Sequence, residues 1–258
     1  MKNTKINYKK LASLYSSSKV KESEQADLQK RINSYVADEP LTIQWIESFN
    51  KNSVFYDVGS NIGGFSIIAS LVHDDIQIYS FEPNYMNFNC QIETCRDNNF
   101  SNIFPMNLAI NDKNEFNVFK YDRLNIGSKG TFGEELKVQM LKSQYSNPFK
   151  RGISHEAGIL GVSLDSLFYE FGIPAPDYIK IDVDGNDLLV LQGARKLLQD
   201  DKFVKEVFIE VDDLIYQNSE IENFMKDYNF NKVDDINVGS VSKPMRMLLY
   251  KKIKTRTI

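Results

Sequence analysis

From residue 53 onward the chain alternates short apolar runs with segments of helical periodicity, and this alternation restricts the fold more than any other feature. VFYDVG reads as a strand, GGFSIIASLVH as a helix, QIYSFEP as a strand, NYMNFNCQIETCRDNN as a helix and IFPMNLAI as a strand. EFNVFKYD reads as an extra edge strand, and an irregular stretch rich in Gly, Ser, Lys and Asn follows from about 122 to 159. GVSLDSLFYEFG then predicts a short strand running into a helix, DYIKIDVDG a strand, NDLLVLQGARKLLQ a helix, KEVFIEVDD a strand and IENFMKDYNF a helix. Two strands, NKVDDINV and RMLLYKKI, close the pattern with no helix between them. Strand–helix alternation builds parallel βαβ units. The expected fold is therefore α/β, a doubly wound and mostly parallel sheet with an antiparallel hairpin at one edge.

Upstream, Leu28, Ile32 and Tyr35 fall at helical spacing. Beyond Pro40, a residue suited to open a helix, Leu41, Trp45, Ile46 and Phe49 share a helical side. Residues 1–50 are thus expected to form a helical cap on a main domain of residues 51–258, and that cap also offers a surface for a homodimer. A net charge of -4 argues against a general nucleic-acid surface, which needs clustered Lys and Arg. The basic ends, MKNTKINYKK and KKIKTRTI, read as solvated tails. No apolar run is long enough to span a bilayer, and the first ten residues lack the apolar stretch of a signal peptide. Cys90 and Cys95, with neither a CxxC pair nor a His cluster, read as reduced residues of a cytoplasmic protein.

In doubly wound sheets ligands bind beyond the carboxyl ends of the strands. Four acids stand at such ends: Asp57, Glu82, Asp182 and Glu210. After Asp57 the turn Gly59-Ser60-Asn61-Ile62-Gly63-Gly64 lets backbone approach a ligand and aims a helix start at an anion. The residue two after Gly59 is Asn61, so G-x-G-x-x-G fails, and no Lys-Ser or Lys-Thr follows to make a P-loop. A carboxylate suits this helix start better than a pyrophosphate. Glu82 lies about 20 residues beyond, where a nucleoside-binding unit places the acid for its ribose. In YIKID, Lys180 and Asp182 put charge on a strand that should be continuously apolar, a break expected at functional sites.

Taken together, these segments resemble the FkbM family of class I S-adenosylmethionine-dependent methyltransferases. The resemblance rests on VFYDVGSNIGGFSIIA, YSFEPNYMNF, NLAIND with EFNVF, GVSLDSLF, and YIKIDVDGNDLLVLQGA with IEVDD, over roughly residues 53–213. It implies a seven-stranded Rossmann-like sheet and S-adenosylmethionine as cofactor. Asp57 and the backbone near Gly59 would line the methionine end, and Asn61 with Gly63 would face its carboxylate. Glu82 would hold the ribose, Asn107 and Ala109 would flank adenine, and Asp182 would stand beside the transferring methyl. Class I methyltransferases often carry an acid at the adenine strand end, and none sits there here. Where the family pattern reads Asp-Val-Glu-Gly, this chain has the shorter Asp184.

For a hydroxyl acceptor on a sugar, glycan intermediate or secondary metabolite, Asp182 is the candidate base, Lys180 its orienting partner and His155 the rival. A metal-free site is the reading adopted; Asp182, Glu210 and Asp212 around Mg²⁺ is the alternative. The stretch 122–159, with its aromatic residues, is expected to build the acceptor pocket or a lid. An NAD-dependent oxidoreductase and a non-catalytic cofactor-binding module are the competing functions.

Overall fold

The computed structural model describes residues 8–15, 22–133, 155–213, 215–216, 219–238 and 244–253. In chain order the strands are β1 (Val54–Val58), β2 (Gln77–Phe81), β3 (Ile103–Met106), β4 (Ala109–Ile110), β5 (Glu115–Tyr121), β6 (Gly130–Phe132), β7 (His155–Val162), β8 (Tyr178–Ile181), β9 (Glu206–Asp212), β10 (Phe230–Asn237) and β11 (Met245–Lys252). The described helices are α1 (Tyr8–Leu14), α2 (Glu22–Ala37), α3 (Pro40–Glu47), α4 (Gly64–Val72), α5 (Tyr85–Asn98), α6 (Leu164–Tyr169), α7 (Asp187–Gln192), α8 (Arg195–Gln199) and α9 (Glu220–Asp227).

The main sheet has seven strands in the order β3–β2–β1–β8–β9–β11–β10. It is parallel from β3 to β9, and β11 runs antiparallel to both of its neighbours. The chain builds outward from β1 to β3, then returns to lay β8 on the other side of β1. The switch point of the sheet therefore lies between β1 and β8, where a crevice opens.

Successive residues of each strand feed opposite faces. Phe55, Ile78, Tyr178 and Phe208 join the core under α1 to α5, whereas Tyr56, Tyr79, Ile179 and Ile209 join the core under α6 to α9. The N-terminal helices are packed onto the sheet. Trp45 stacks on Phe208 with ring centroids 5.1 Å apart, and its indole N–H donates to Glu206 at 2.8 Å. Phe49 stacks on Tyr178 at 3.9 Å.

Three segments fold differently from the sequence reading. IFPMNLAI is two strands in different sheets, because Asn107 and Leu108 interrupt it between β3 and β4. NDLLVLQGARKLLQ is two helices, α7 and α8, separated at Gly193, where a Cβ would lie 2.2 Å from the Asn111 carbonyl oxygen. The stretch 122–159 is not wholly irregular. It holds β6 and the start of β7, which with β5 and β4 make a second sheet in the order β4–β7–β5–β6. Residues 134–154 lie outside those described.

Candidate active site

Register brings the strand ends into one row. Val58 of β1 is level with Phe81 of β2 and Ile181 of β8, and Ile181 is level with Ile209 of β9. The next residue on each strand falls at the same height: Gly59, Glu82, Asp182 and Glu210. The first three line one cleft that opens at the surface. Ala109 of β4 also lines it, as do Phe119 and Phe132 of the second sheet.

Asp57 is not in that row. It sits two residues deeper, beside Ser80 and Lys180, and is fully buried. Ser66 Oγ donates to its Oδ2 at 2.7 Å, while Oδ1 has no hydrogen-bond partner. Burial pushes its carboxyl upward against the pull of Lys180.

The glycines between Asp57 and α4 answer to protein contacts. A Cβ on Gly59 would sit 1.9 Å from the Asp182 carbonyl oxygen, one on Gly63 would meet the Gln91 side chain at 2.9 Å, and one on Gly64 would meet the Tyr35 ring at 2.3 Å. Gly59 and Gly63 also take φ near +78° and +79°, which favours glycine. The turn is where β8, α5 and α2 converge on the end of β1.

Its N–H groups are satisfied internally. Those of Gly59 and Ser60 donate to the Phe81 carbonyl, that of Asn61 to Glu82 Oε2, that of Ile62 to Asn61 Oδ1 and that of Gly63 to the Ser60 carbonyl. The Asn61 amide donates to the Ser128 carbonyl at 3.2 Å. The N–H groups from Gly59 to Gly63 are therefore already engaged within the protein.

Glu82 is buried at 5% exposure and still faces the cleft. Oε1 accepts from the Asn84 N–H at 2.9 Å and from Asn87 Nδ2 at 3.3 Å, and Oε2 accepts from the Asn61 N–H at 2.8 Å. A carboxylate has about four acceptor positions, so one remains for a ligand. Burial lifts its pKa to about 7 despite those bonds. Over this edge runs the segment 125–129. The Ser128 carbonyl accepts from Asn61 and Asn87, Ser128 Oγ accepts from Asn84 Nδ2 at 3.0 Å, and the Gly127 N–H donates to Asn87 Oδ1 at 2.7 Å.

Asp182 is the electrostatic centre. Lys180 Nζ lies 3.2 Å from its Oδ2, almost wholly buried and 4.8 Å above the Phe65 ring. Burial would raise the Asp182 pKa, but Lys180, Lys129, a hydrogen bond with Glu210 and Arg31 hold it well below the usual carboxylate range. Asp182 raises Glu210 to about 9, with burial reinforcing the effect. The charge of Asp182 thus favours the protonated form of Glu210. Burial alone would lower Lys180, yet Asp182, Glu39 and Asp57 hold it charged. Among the described residues no group of His, Cys, Asp and Glu is arranged to hold a metal ion.

The remaining sequence candidates divide. Ala109 is on the cleft wall. Asn107 is turned to the backbone, its amide donating to the carbonyls of Glu82 and Pro83 at 2.8 and 3.0 Å. Gly63 caps α4 away from the wall. His155 is exposed at the start of β7 with its ring 5.9 Å from Tyr121, and it does not line the cleft. Asp184, the shortened acid, pairs with Lys129 across the cleft mouth. Two cleft cations escaped the sequence reading: Arg31 from α2 and Lys129 beside β6. Lys129 stood between two glycine turns with no periodicity to mark it, and Arg31 lay in a helix read only for packing.

A family model described as the methyltransferase FkbM domain matches residues 57–232, from the deep Asp57 to the start of β10. The chain belongs to the FkbM methyltransferase domain family. Over 174 residues this FkbM-domain chain is 25% identical to the hexuronic acid methyltransferase AglP of Haloferax volcanii, a match spanning 67% of this chain and 63% of that protein. A precorrin-6y C5,15-methyltransferase from Geobacter metallireducens superposes with TM-score 0.44 at 12% identity, covering 83% of this chain and 87% of that one. An S-adenosylmethionine-dependent methyltransferase from Aquifex aeolicus gives 0.45 at 10% identity, covering 96% and 100%. The fold assignment for the FkbM-domain chain rests on its own strand order, not on these loose superpositions.

Proposed function

We propose that this FkbM-domain protein transfers the methyl group of S-adenosylmethionine to an oxygen of a saccharide or a related small acceptor. The observation that carries this reading is the level row Gly59–Glu82–Asp182 opening on one cleft at the switch point of the sheet. The residues fit the cofactor. Glu82 keeps one acceptor position for a ribose hydroxyl, and the wall carries a buried donor, Arg31 Nε, without a hydrogen-bond partner among the described residues. The backbone at Ala109 and the apolar lining beside it suit a purine. The cofactor supplies a sulfonium-bound methyl that is already electrophilic, leaving alignment of the nucleophile to the protein.

Asp182, ionised and fixed by Lys180, accepts the hydrogen bond of the incoming hydroxyl and turns its lone pair toward the methyl. A carboxylate held so far below neutrality is a weak base. It suffices here because the hydroxyl oxygen becomes strongly acidic as its bond to carbon forms, so the proton leaves late in the step. Phe132 of β6 and the neighbouring Lys129, both within 122–159, line the same cleft, which supports that stretch as part of the ligand-binding wall. The hexuronic acid named for the Haloferax relative makes acidic saccharides the first acceptors to try.

The test is transfer of labelled methyl from S-adenosylmethionine to uronic-acid-bearing and neutral saccharides. Label in an alkali-stable ether supports hydroxyl methylation, and label in an alkali-labile ester would move the acceptor atom to a carboxylate. No transfer to any acceptor by protein that binds the cofactor would overturn the enzymatic reading in favour of a binding module.

A further inference from the structure

The methionine end of the cofactor carries a carboxylate, and the glycine turn that should receive it has none of its five N–H groups from Gly59 to Gly63 to offer. The negative charge must be met elsewhere on the cleft wall. Lys129 is committed to Asp184, and Lys180 is committed to Asp182 and lies behind the wall. Arg31 also feels the charges of Asp182 and Glu39, but no salt bridge to either is formed among the described residues. It lines the cleft, and its buried Nε has no hydrogen-bond partner among the described residues.

The position of Arg31 is built. Its guanidinium lies 5.1 Å from the centroid of the Tyr35 ring, one turn along α2. That ring is buried, packs edge-on against Phe65 at 4.9 Å and fills the space that a Cβ on Gly64 would need. Arg31 is thereby tied to the start of α4, the side of the cleft where the amino-acid end of the cofactor is placed. A planar fork of donors matches a carboxylate.

Resting on the cofactor reading above, we propose that Arg31 is the carboxylate-binding residue for the methionine end of S-adenosylmethionine. The N-terminal helices then complete the cofactor pocket. The role assigned from the sequence to Asn61 and Gly63 passes to a residue outside the span matched by the family model, 57–232.

Calorimetric titration of the full chain separates this role from general damage. The ligands are S-adenosylhomocysteine and 5′-methylthioadenosine, which shares the adenosine thioether but lacks the amino-acid carboxylate. The variants are Arg31→Met, which preserves the stack on Tyr35, and Arg31→Lys, which preserves charge without the fork. Arg31→Met is expected to weaken S-adenosylhomocysteine roughly ten- to a hundredfold, the range of a charge-assisted hydrogen bond. Binding of 5′-methylthioadenosine should stay within about twofold, which also reports an intact fold, and Arg31→Lys should fall between. Equal losses for both ligands, or no loss for S-adenosylhomocysteine, would overturn the assignment. If the wild-type chain binds neither nucleoside, the cofactor reading fails first and takes this inference with it.

Discussion

Glu210 stands next to Asp182 at the sheet's C-terminal edge, and the charge of Asp182 gives its ionisation a cost that varies with pH. On folding, the Glu210 pKa rises from 4.5 to about 9. The stability this group contributes is therefore complete below about pH 4.5 and is lost progressively as pH rises through about 9, at up to about 1.4 kcal/mol per pH unit. Glu82 and Asp187, each raised to about 7 by burial, add to the slope only up to that pH. The informative window is pH 7 to 9. Glu210→Gln keeps a donor to Asp182 but cannot ionise, so urea denaturation in that window should show a flatter decline than wild type. An unchanged slope would mean that Asp182 does not raise Glu210. Asp57 shows why residue roles were only partly legible. Its type and place at a strand end pointed to the ligand, but strand register sets it two residues beneath the row that meets the cleft. Sequence spacing carries no information on register between strands.

At the scale of elements, the glycine turn works as a joint. Gly64 opens α4 with ordinary helical backbone, so alanine there gains up to about 1 kcal/mol of intrinsic helix preference. Against that gain, the new Cβ would lie 2.3 Å from the Tyr35 ring of α2. Gly64→Ala should therefore destabilise the protein by more than about 1 kcal/mol, and the same change in a Tyr35→Ala background should be neutral or stabilising. A double-mutant cycle by chemical denaturation measures this coupling; additive effects would show that α2 does not bear on the turn. The seven strands of the main sheet were legible because most are buried on both faces, and their apolar runs announce them. Of the second sheet, β5 was read in advance as an edge strand, but β6 and the start of β7 were not. There β5 pairs with β7 across a long sequence separation, Glu115 opposite Gly161, and it leaves Phe116 83% exposed. Pairing of that kind leaves β6 and the start of β7 with too little burial to mark them in advance.

At the scale of the whole molecule, three parts of the chain meet at one cleft. The main sheet supplies the row Gly59–Glu82–Asp182, the N-terminal helices supply Arg31, and the second sheet supplies Phe119, Phe132 and the neighbouring Lys129. The family resemblance was legible because its motifs sit at strand ends, where spacing alone brings them together. Arg31 and Lys129 were not, because each reaches the cleft by tertiary packing of a segment without a motif. All three contributions converge on the claim that the cleft holds S-adenosylmethionine, with Glu82 on its ribose. Calorimetric titration of wild type and Glu82→Ala with S-adenosylmethionine and NAD tests that claim most directly. The account predicts micromolar binding of S-adenosylmethionine, at least about tenfold weaker binding by the variant, and no binding of NAD. Binding of NAD in place of S-adenosylmethionine, or equal affinity of the two proteins for S-adenosylmethionine, would contradict it.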